Sequence, residues 1–208
     1  MTVTVTVEIP SSQLLAIRQF AAGKTERRKY LQGVHVDCSM GSDNIVATDG
    51  RAIGVCRLPQ PASHPVKAII PNELIDSIKP KPFETVTATF GPPDEHDDTV
   101  RRVTLTVGAR SASGLTIAGP FPDYRQVIPR ETTGQAAQFN PELFTAIGRA
   151  ALALAHGRKH ALEDVRISYN GQKGALLLIA GMDCFIGVVM PLRAELGEVT
   201  APEWVFEP

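Results

Sequence analysis

The chain has 208 residues, enough for one large domain or two small ones with a buried core. Hydrophobic residues make up 43% and charged residues 21%, close to the averages of folded globular proteins. These values exclude a disordered, collagen-like or coiled-coil chain. The formal net charge of −1 gives the whole molecule no attraction for a polyanion, so any role on DNA must be local or topological.

No apolar run approaches the roughly 20 residues that span a bilayer, and the first residues alternate Thr and Val where a secretory signal would be basic and then apolar. We therefore expect a cytoplasmic protein with no membrane partner. The three cysteines, Cys38, Cys56 and Cys184, lie far apart in the sequence and form no CxxC pair. This usage is typical of buried, reduced thiols in a reducing compartment.

Secondary-structure signals occur three times in the same order: one strand, one helix and three strands. The first unit has a predicted strand, a helix and further strands at residues 1–9, 11–22, 30–38 and 44–58, with Asp49-Gly50 as a turn. The second unit has a strand at 66–70, a helix at 71–78 that Pro80 ends, and strands at 84–90, 101–108 and 112–118.

The third unit begins at residues 137–139 and contains the clearest helix start in the chain. Asn140 is a predicted N-cap, Pro141 takes the first helical position, and Glu142 lies near the positive end of the helix dipole. Apolar residues at helical spacing from Leu143 onward predict one buried helix face. Strands are predicted near residues 164–169, 174–180 and 184–190.

The repeated unit predicts an α+β fold. One helix with an apolar face and four strands per unit favour antiparallel sheets with the helices on one face. We expect residues 1–129 to form one domain of two units, residues 130–193 a third unit, and residues 194–208 a tail. The third unit exposes a helix face and a sheet edge, which we expect either the tail, with Trp204 and Phe206, or a neighbouring chain to cover.

Several segments, in the order 28–34, 46–53, 119–129 and 188–193, resemble motifs of the bacterial DNA polymerase III beta subunit, the sliding clamp family. The resemblance covers about residues 24–193, shortened to about one and a half clamp domains. The first two units are similar to the middle domain of the family and the third to its last domain. The resemblance implies the DNA-clamp fold, a non-enzymatic processivity factor in DNA replication, and no cofactor.

The resemblance also implies an apolar groove for short peptides of a polymerase or a clamp loader. Aliphatic walls with a flexible Met suit a motif that anchors one or two apolar side chains. Without the resemblance these residues would be interpreted as core. Gln126 and Ala52 stand where basic residues are usual, so the peptide specificity is expected to differ. The predicted groove residues are Leu31, Thr48, Gly50, Arg51, Ile53, Pro122, Val127, Val188, Val189, Met190, Pro191 and Leu192.

A clamp holds double-stranded DNA by encircling it, so weak direct contact and a modest positive potential suffice. The predicted DNA-facing residues are Arg18, Lys24, Arg27, Arg28, Lys29, Lys79, Lys81, Arg149, Arg158 and Lys159. Solvated helix ends explain the same cations equally well. If the family ring has twelve units, three units per chain require four chains joined head to tail, so we expect a homo-oligomer.

Two other functions are compatible with the sequence. A clamp paralogue could keep the groove as a peptide-binding adaptor or decoy without encircling DNA. A metal-dependent hydrolase would need Asp49, His35, Asp37 and Asp123 to converge. The sequence has no HExxH, GxSxG, GxxxxGK or CxxC motif, so we predict no catalytic residue and no metal ligand. The acidic stretch 94–98 lacks the spacing of a calcium loop and is predicted to be a solvated hairpin tip.

Overall fold

The computed structural model describes residues 4–39, 42–156 and 165–193, together with Pro202 and Val205. Three α-helices occur within these residues: α1 (Ser11–Arg18), α2 (Asn72–Ile78) and α3 (Pro141–Leu154). The strands there are β1 (Val5–Pro10), β2 (Gly33–Ser39), β3 (Ser42–Thr48), β4 (Ala52–Arg57), β5 (Val66–Pro71), β6 (Thr85–Pro93), β7 (Arg101–Val107), β8 (Arg110–Leu115), β9 (Val165–Ser168), β10 (Ala175–Ile179) and β11 (Phe185–Val189).

The strands form two antiparallel sheets. The four-stranded sheet has the order β1-β6-β7-β8, and the seven-stranded sheet has the order β5-β2-β3-β4-β11-β10-β9. The sheets join the units together, because β11 of the third unit pairs with β4 of the first, with Val188 opposite Ile53. The predicted α+β arrangement of helices and antiparallel sheets is confirmed.

The order of one strand, one helix and three strands is confirmed for the first two units. The third unit differs, because residues 137–139 form no strand. The first strand of each complete unit belongs to the sheet of the other, since β1 pairs with β6 and β5 pairs with β2. The described part of the chain contains no fourth unit whose sheet could accept the first strand of the third unit. Residues 137–139 therefore lack the partner strand that would make them a strand.

One apolar core joins the helices and the sheets. Leu14 and Ile17 of α1, and Leu143 and Ile147 of α3, are buried where these two helices pack against each other, and Phe185 of β11 lies in the same core. Helix α2 packs on β7 and β8. The helix face of the third unit was expected to be covered by the tail or a neighbouring chain, but α1 packs against this face, and β4 pairs with the β11 edge of its sheet. Trp204 and Phe206 lie outside the described residues.

The predicted start of α3 is confirmed. The Asn140 side chain accepts a hydrogen bond from the Glu142 N–H at 2.9 Å, and Pro141 takes the first helical position. This bond satisfies one of the amide groups that a helix start leaves without an intrahelical partner. Across the described ranges, every helix is too short or too polar to traverse a lipid bilayer.

The junction between β4 and β11 is built around glycine. Gly54 of β4 lies opposite Gly187 of β11, and the Phe20 ring, just after α1, rests on Gly54. A Cβ atom at residue 54 would overlap this ring. The Phe20 ring therefore fills the space that Gly54 leaves open, and its centroid lies 5.9 Å from that of the buried Phe185 ring. Glycine at this position lets α1 approach the strand pair.

Candidate functional site

An apolar cleft of about 260 Å³ lies where the first and third units meet. Side chains alternate between the two faces of a strand, so Ile53 and Val188 face the cleft while Gly54 and Val189 face the helices. The residues around the cleft are Arg28, Leu31, Thr48, Gly50, Arg51, Ala52, Ile53, Phe121, Pro122, Asp123, Tyr124, Val127, Val188 and Met190. Three separate parts of the chain therefore contribute to one surface: residues 28–53, residues 121–127 and residues 188–190.

The structure brings together most of the residues that the resemblance assigned to the groove: Leu31, Thr48, Gly50, Arg51, Ile53, Pro122, Val127, Val188 and Met190. Val189 is an exception and lies fully buried in the core beside the helices. Val188 and Val189 are consecutive residues of β11, so their side chains point to opposite faces of the sheet, and only Val188 faces the cleft. Pro191 and Leu192 follow β11 and do not line the cleft either, and the Leu192 side chain is 46% exposed.

Several cleft residues were not assigned to the groove from the sequence. Phe121, Asp123 and Tyr124 lie in the 121–127 segment, from which the groove prediction took only Pro122 and Val127. The segment contains a 3₁₀ turn at Tyr124–Gln126, which directs Tyr124 inward. An irregular segment has no periodic pattern of apolar residues, so the sequence carries no signal for which side chains turn toward the sheet.

The floor of the cleft begins with a tight turn between β3 and β4. The Thr48 hydroxyl donates to the Ala52 carbonyl at 2.7 Å, and the Asp49 carboxylate accepts hydrogen bonds from the N–H groups of Arg51 and Ala52 at 2.8 Å each. Gly50 has a φ of 90°, a conformation that favours glycine. The predicted turn is confirmed. The Arg51 side chain also donates a hydrogen bond to the Asp49 carboxylate, so this carboxylate is fully engaged within the turn.

A buried polar network anchors the 121–127 segment to β2. The Tyr124 hydroxyl donates to the Asp37 carboxylate at 3.1 Å, and Arg125 forms an ion pair with the same carboxylate at 2.7 Å. Burial raises the pKa of Asp37, which is only 1% exposed, but hydrogen bonds from Arg125, Ser39 and Tyr124 outweigh burial and lower the pKa overall. Asp37 is therefore ionised at neutral pH and fixes one wall of the cleft.

A second cavity of about 600 Å³ lies behind this wall, lined by His35, Asp37 and Asp123 among others. The Phe121 ring stacks on His35 with ring centroids 4.5 Å apart, so Phe121 separates this cavity from the cleft. Burial lowers the pKa of His35 to about 4. Asp49, the other acid of the hydrolase hypothesis, does not line this cavity.

Metal binding can be tested on the same residues. Over the described ranges, no three side chains of His, Cys, Asp or Glu form a group that could hold a metal ion. In the acidic hairpin loop, the Asp94 carboxylate accepts from the His96 N–H at 2.9 Å, and the Asp97 carboxylate accepts from the Thr99 N–H at 2.9 Å. These carboxylates stabilise the turn between β6 and β7.

Several of the predicted DNA-facing cations are paired with carboxylates of this chain. Arg18 forms an ion pair with Asp76 at 2.9 Å, and Lys24 forms one with Glu73 at 3.1 Å. Arg28 lines the cleft and binds the Glu26 carboxylate through two hydrogen bonds of 3.0 Å. The other predicted cations that the structure describes are exposed: Arg27, Lys29, Lys79, Lys81 and Arg149. Arg158 and Lys159 lie outside the described residues.

Solved structures define the class of fold. The chain superimposes on the DNA polymerase III subunit beta from Pseudomonas aeruginosa with a TM-score of 0.63 and 20% identity, over 91% of this chain and 66% of that chain. The DNA polymerase III subunit beta from Borrelia burgdorferi gives a TM-score of 0.64 at 14% identity, over 90% of this chain and 64% of that one. The fold is therefore that of the sliding clamps.

Sequence comparison leads to the same family. No protein-family model matches the chain. The chain is 28% identical to the Beta sliding clamp of Treponema pallidum over 184 residues, which cover 84% of this chain and 45% of that protein. It is 27% identical to the Beta sliding clamp of Caulobacter vibrioides over 190 residues, which cover 77% and 49%. The chain spans about half the length of these curated relatives, and its resemblance to the bacterial sliding clamp family is confirmed.

Proposed function

We propose that the chain is a non-catalytic processivity factor of the sliding-clamp type, which tethers a polymerase to DNA and docks partner peptides in the cleft. Residues 1–129 would serve as a two-unit clamp domain and residues 130–193 as half of a second one. The observation that carries the proposal is the cleft itself, which the two parts build together in a fold shared with proteins named sliding clamps.

The chemistry of the cleft supports a short apolar peptide as its ligand. Ile53 and Val188 provide a buried aliphatic floor, while Val127 and Met190 at the rim are 47% and 41% exposed. An apolar anchor placed here removes both its own surface and that of the rim from water, which is the main source of affinity in small interfaces. Met190 is flexible and polarisable, so it can adapt to different anchors.

A substitution at the rim tests peptide docking without changing the core. Met190→Glu places a charge where an apolar anchor would bind, and we expect at least about tenfold weaker binding of a fluorescent peptide from the C-terminal tail of a bacterial replicative polymerase. Leu192→Glu is the matched control, because Leu192 is equally exposed but lies outside the cleft. Equal loss of binding in both variants would contradict docking in the cleft.

The role on DNA rests on encirclement by an assembly of chains. With a net charge of −1, and with Arg18 and Lys24 paired to carboxylates, the described surface favours loose retention over tight phosphate contact. We expect the chain to form a homo-oligomer. Light scattering that gives a stable monomer at micromolar concentration would count against ring formation.

A peptide-binding adaptor or decoy is a second candidate. It is favoured by one observation: residues 28–31, 48–53, 121–127 and 188–190 of this chain already enclose a cleft of about 260 Å³. Retention on nicked circular DNA separates the two functions. Retention that disappears when the circle is linearised indicates a ring, whereas peptide binding without retention indicates an adaptor.

A further inference from the structure

Strand β8 forms one edge of the four-stranded sheet and has β7 on one side. Thr116, just after β8, donates its N–H to the Arg101 carbonyl of β7 at 2.9 Å. Backbone groups alternate in direction along an antiparallel strand, so those of Ser111, Ser113 and Leu115 point away from β7. No other segment that the structure describes pairs with these three residues.

Two other sheet edges are covered by the chain itself. At β1, the opposite edge of the same sheet, the Thr6 N–H donates to the Ser63 hydroxyl at 2.8 Å, and the Thr6 carbonyl accepts from the Ser63 N–H at 3.0 Å. At β5, the Ile69 carbonyl accepts a hydrogen bond from the Ile117 N–H at 2.9 Å. A sheet edge without such a cover is a template for another strand.

The sequence of the β8 edge lacks the residues that oppose pairing. Residues 111–115 read Ser-Ala-Ser-Gly-Leu and include no charged residue and no proline, the types that proteins place on exposed edges to prevent association. The Leu115 side chain is 57% exposed. On the opposite face, Leu74 of α2 is partly buried and lies over Gly114. Each face of this edge therefore carries a leucine that a further chain would shield from water.

The junction between β4 and β11 shows how two units of this fold join side by side. Both strands are the last of their units, they run antiparallel, and α1 packs against α3 at the same junction. β8 is the last strand of the second unit, and α2 packs on it. Since β4 and β11 already pair with each other, a second chain is the source of a matching strand for β8.

We propose that β8 pairs antiparallel with β8 of a second copy, about a two-fold axis at Ser113. Residues whose backbone groups point outward form the hydrogen-bonded pairs of such a ladder, so Ser113 would lie opposite its own copy and Ser111 opposite Leu115 of the second chain. The ladder would contain about six backbone hydrogen bonds, because each of these pairs exchanges two. It brings no like charges together, since residues 111–115 are uncharged.

This contact is isologous and joins chains in pairs, unlike the head-to-tail contact that unit counting suggested. As one contact of the homo-oligomer, it rests on the proposed function for its biological role. The pairing itself follows from the fold and requires neither DNA nor a peptide in the cleft.

Charge substitutions at Ser113 test the two-fold axis. Ser113→Glu and Ser113→Lys each place a charge opposite an identical charge, so we expect the dissociation constant of the full-length dimer to rise at least about tenfold in either variant alone. An equimolar mixture of the two variants places opposite charges across the axis and should associate again as a 1:1 pair. Sedimentation velocity measures the association, and native mass spectrometry identifies the mixed pair by its mass.

Thr6→Glu is the matched control for the added charge. Thr6, Thr89, Thr104 and Ser113 lie in one row across the sheet, so residue 6 lies on the same face as Ser113 but at the covered edge. This variant should associate as the wild-type chain does.

Three outcomes would overturn the proposal: a wild-type chain that stays monomeric throughout the micromolar range, Ser113 variants that associate as the wild type does, or a mixture of the two variants that stays dissociated. The last would indicate that β8 pairs with a different strand. Retention on nicked circular DNA is measured separately. A mixture that pairs but is not retained supports the β8 contact and contradicts the clamp function.

Discussion

His35 is a buried histidine, and its surroundings disfavour the protonated form of the imidazole. It lies beneath the Phe121 ring, and its Nδ1 atom has no hydrogen-bond partner in the described part of the chain. Burial lowers its pKa to about 4, and the charges nearby have mixed effects: Asp37 raises the pKa, whereas Lys67 and Arg125 lower it. A protonated imidazole here would bury a charge, so the folded state holds His35 in its neutral form.

This burial predicts a loss of stability in mild acid. The unfolded state gains a proton on His35 near pH 6.5, whereas the folded state gains it only near pH 4, so stability falls as the pH decreases between these values. Between pH 7 and pH 5 we expect the free energy of unfolding, measured by urea titration, to decrease by about 2 kcal/mol. His35→Gln should remove much of this dependence, and His64→Gln, at an exposed position, should leave it unchanged.

The roles of Asp37 and Tyr124 could not be predicted from the sequence, because each depends on contact with the other. Both were visible in the sequence, Asp37 as a polar residue among strands and Tyr124 within a family motif. Their hydrogen bond joins residues far apart in the chain, so no local pattern predicts it. The buried carboxylate suggested chemistry from the sequence, whereas the structure gives it an anchoring role.

At the scale of elements, the boundaries with a local physical cause were predictable. The Asn140 cap and the Gly50 turn use contacts within a few residues, and both were predicted from the sequence. The missing strand at residues 137–139 has a nonlocal cause, because a strand needs a partner strand and not only a suitable sequence. The burial of Val189 follows from the alternation of side chains along a strand, and the two-residue period of the sequence was enough to predict it.

The β4 and β11 junction gives a prediction at this scale. In Gly54→Ala the new methyl group overlaps the buried Phe20 ring, so α1 or the strand pair must shift. We expect the free energy of unfolding to decrease by about 1–3 kcal/mol. Gly148→Ala is the control in α3, where a Cβ meets no atom within 4 Å and the helix gains stability, by about 0.5–1 kcal/mol. Equal melting temperatures for the two variants would contradict this account.

At the scale of the whole molecule, the cleft could not be predicted from periodicity. Its walls come from segments distant in the chain, and aliphatic strand residues look the same whether they face a core or a groove. The family motifs supplied the grouping, and the structure shows most of these residues around one cleft. No family motif grouped the predicted DNA-facing cations. A charge near a helix end does not by itself indicate which surface of the molecule it lies on.

The packing between units predicts that the first two units are not fully stable alone. A chain of residues 1–129 would lose β11 from the edge of β4 and would expose the apolar face of α1 that α3 covers. We expect a lower melting temperature and self-association, because an unpaired strand edge and an apolar patch both favour contact with other chains. Light scattering and thermal melting of residues 1–193 provide the comparison, and a monomer with unchanged melting would contradict the expectation.

Residues 130–136, which connect the two parts, are largely exposed, while β4 pairs with β11 and α1 packs against α3 beyond them. A protease cut after Arg130 would therefore leave a noncovalent complex of two fragments that elute together. The same property makes the chain suitable for complementation between two separately expressed halves, with recovery of the cleft as the signal that they have reassembled.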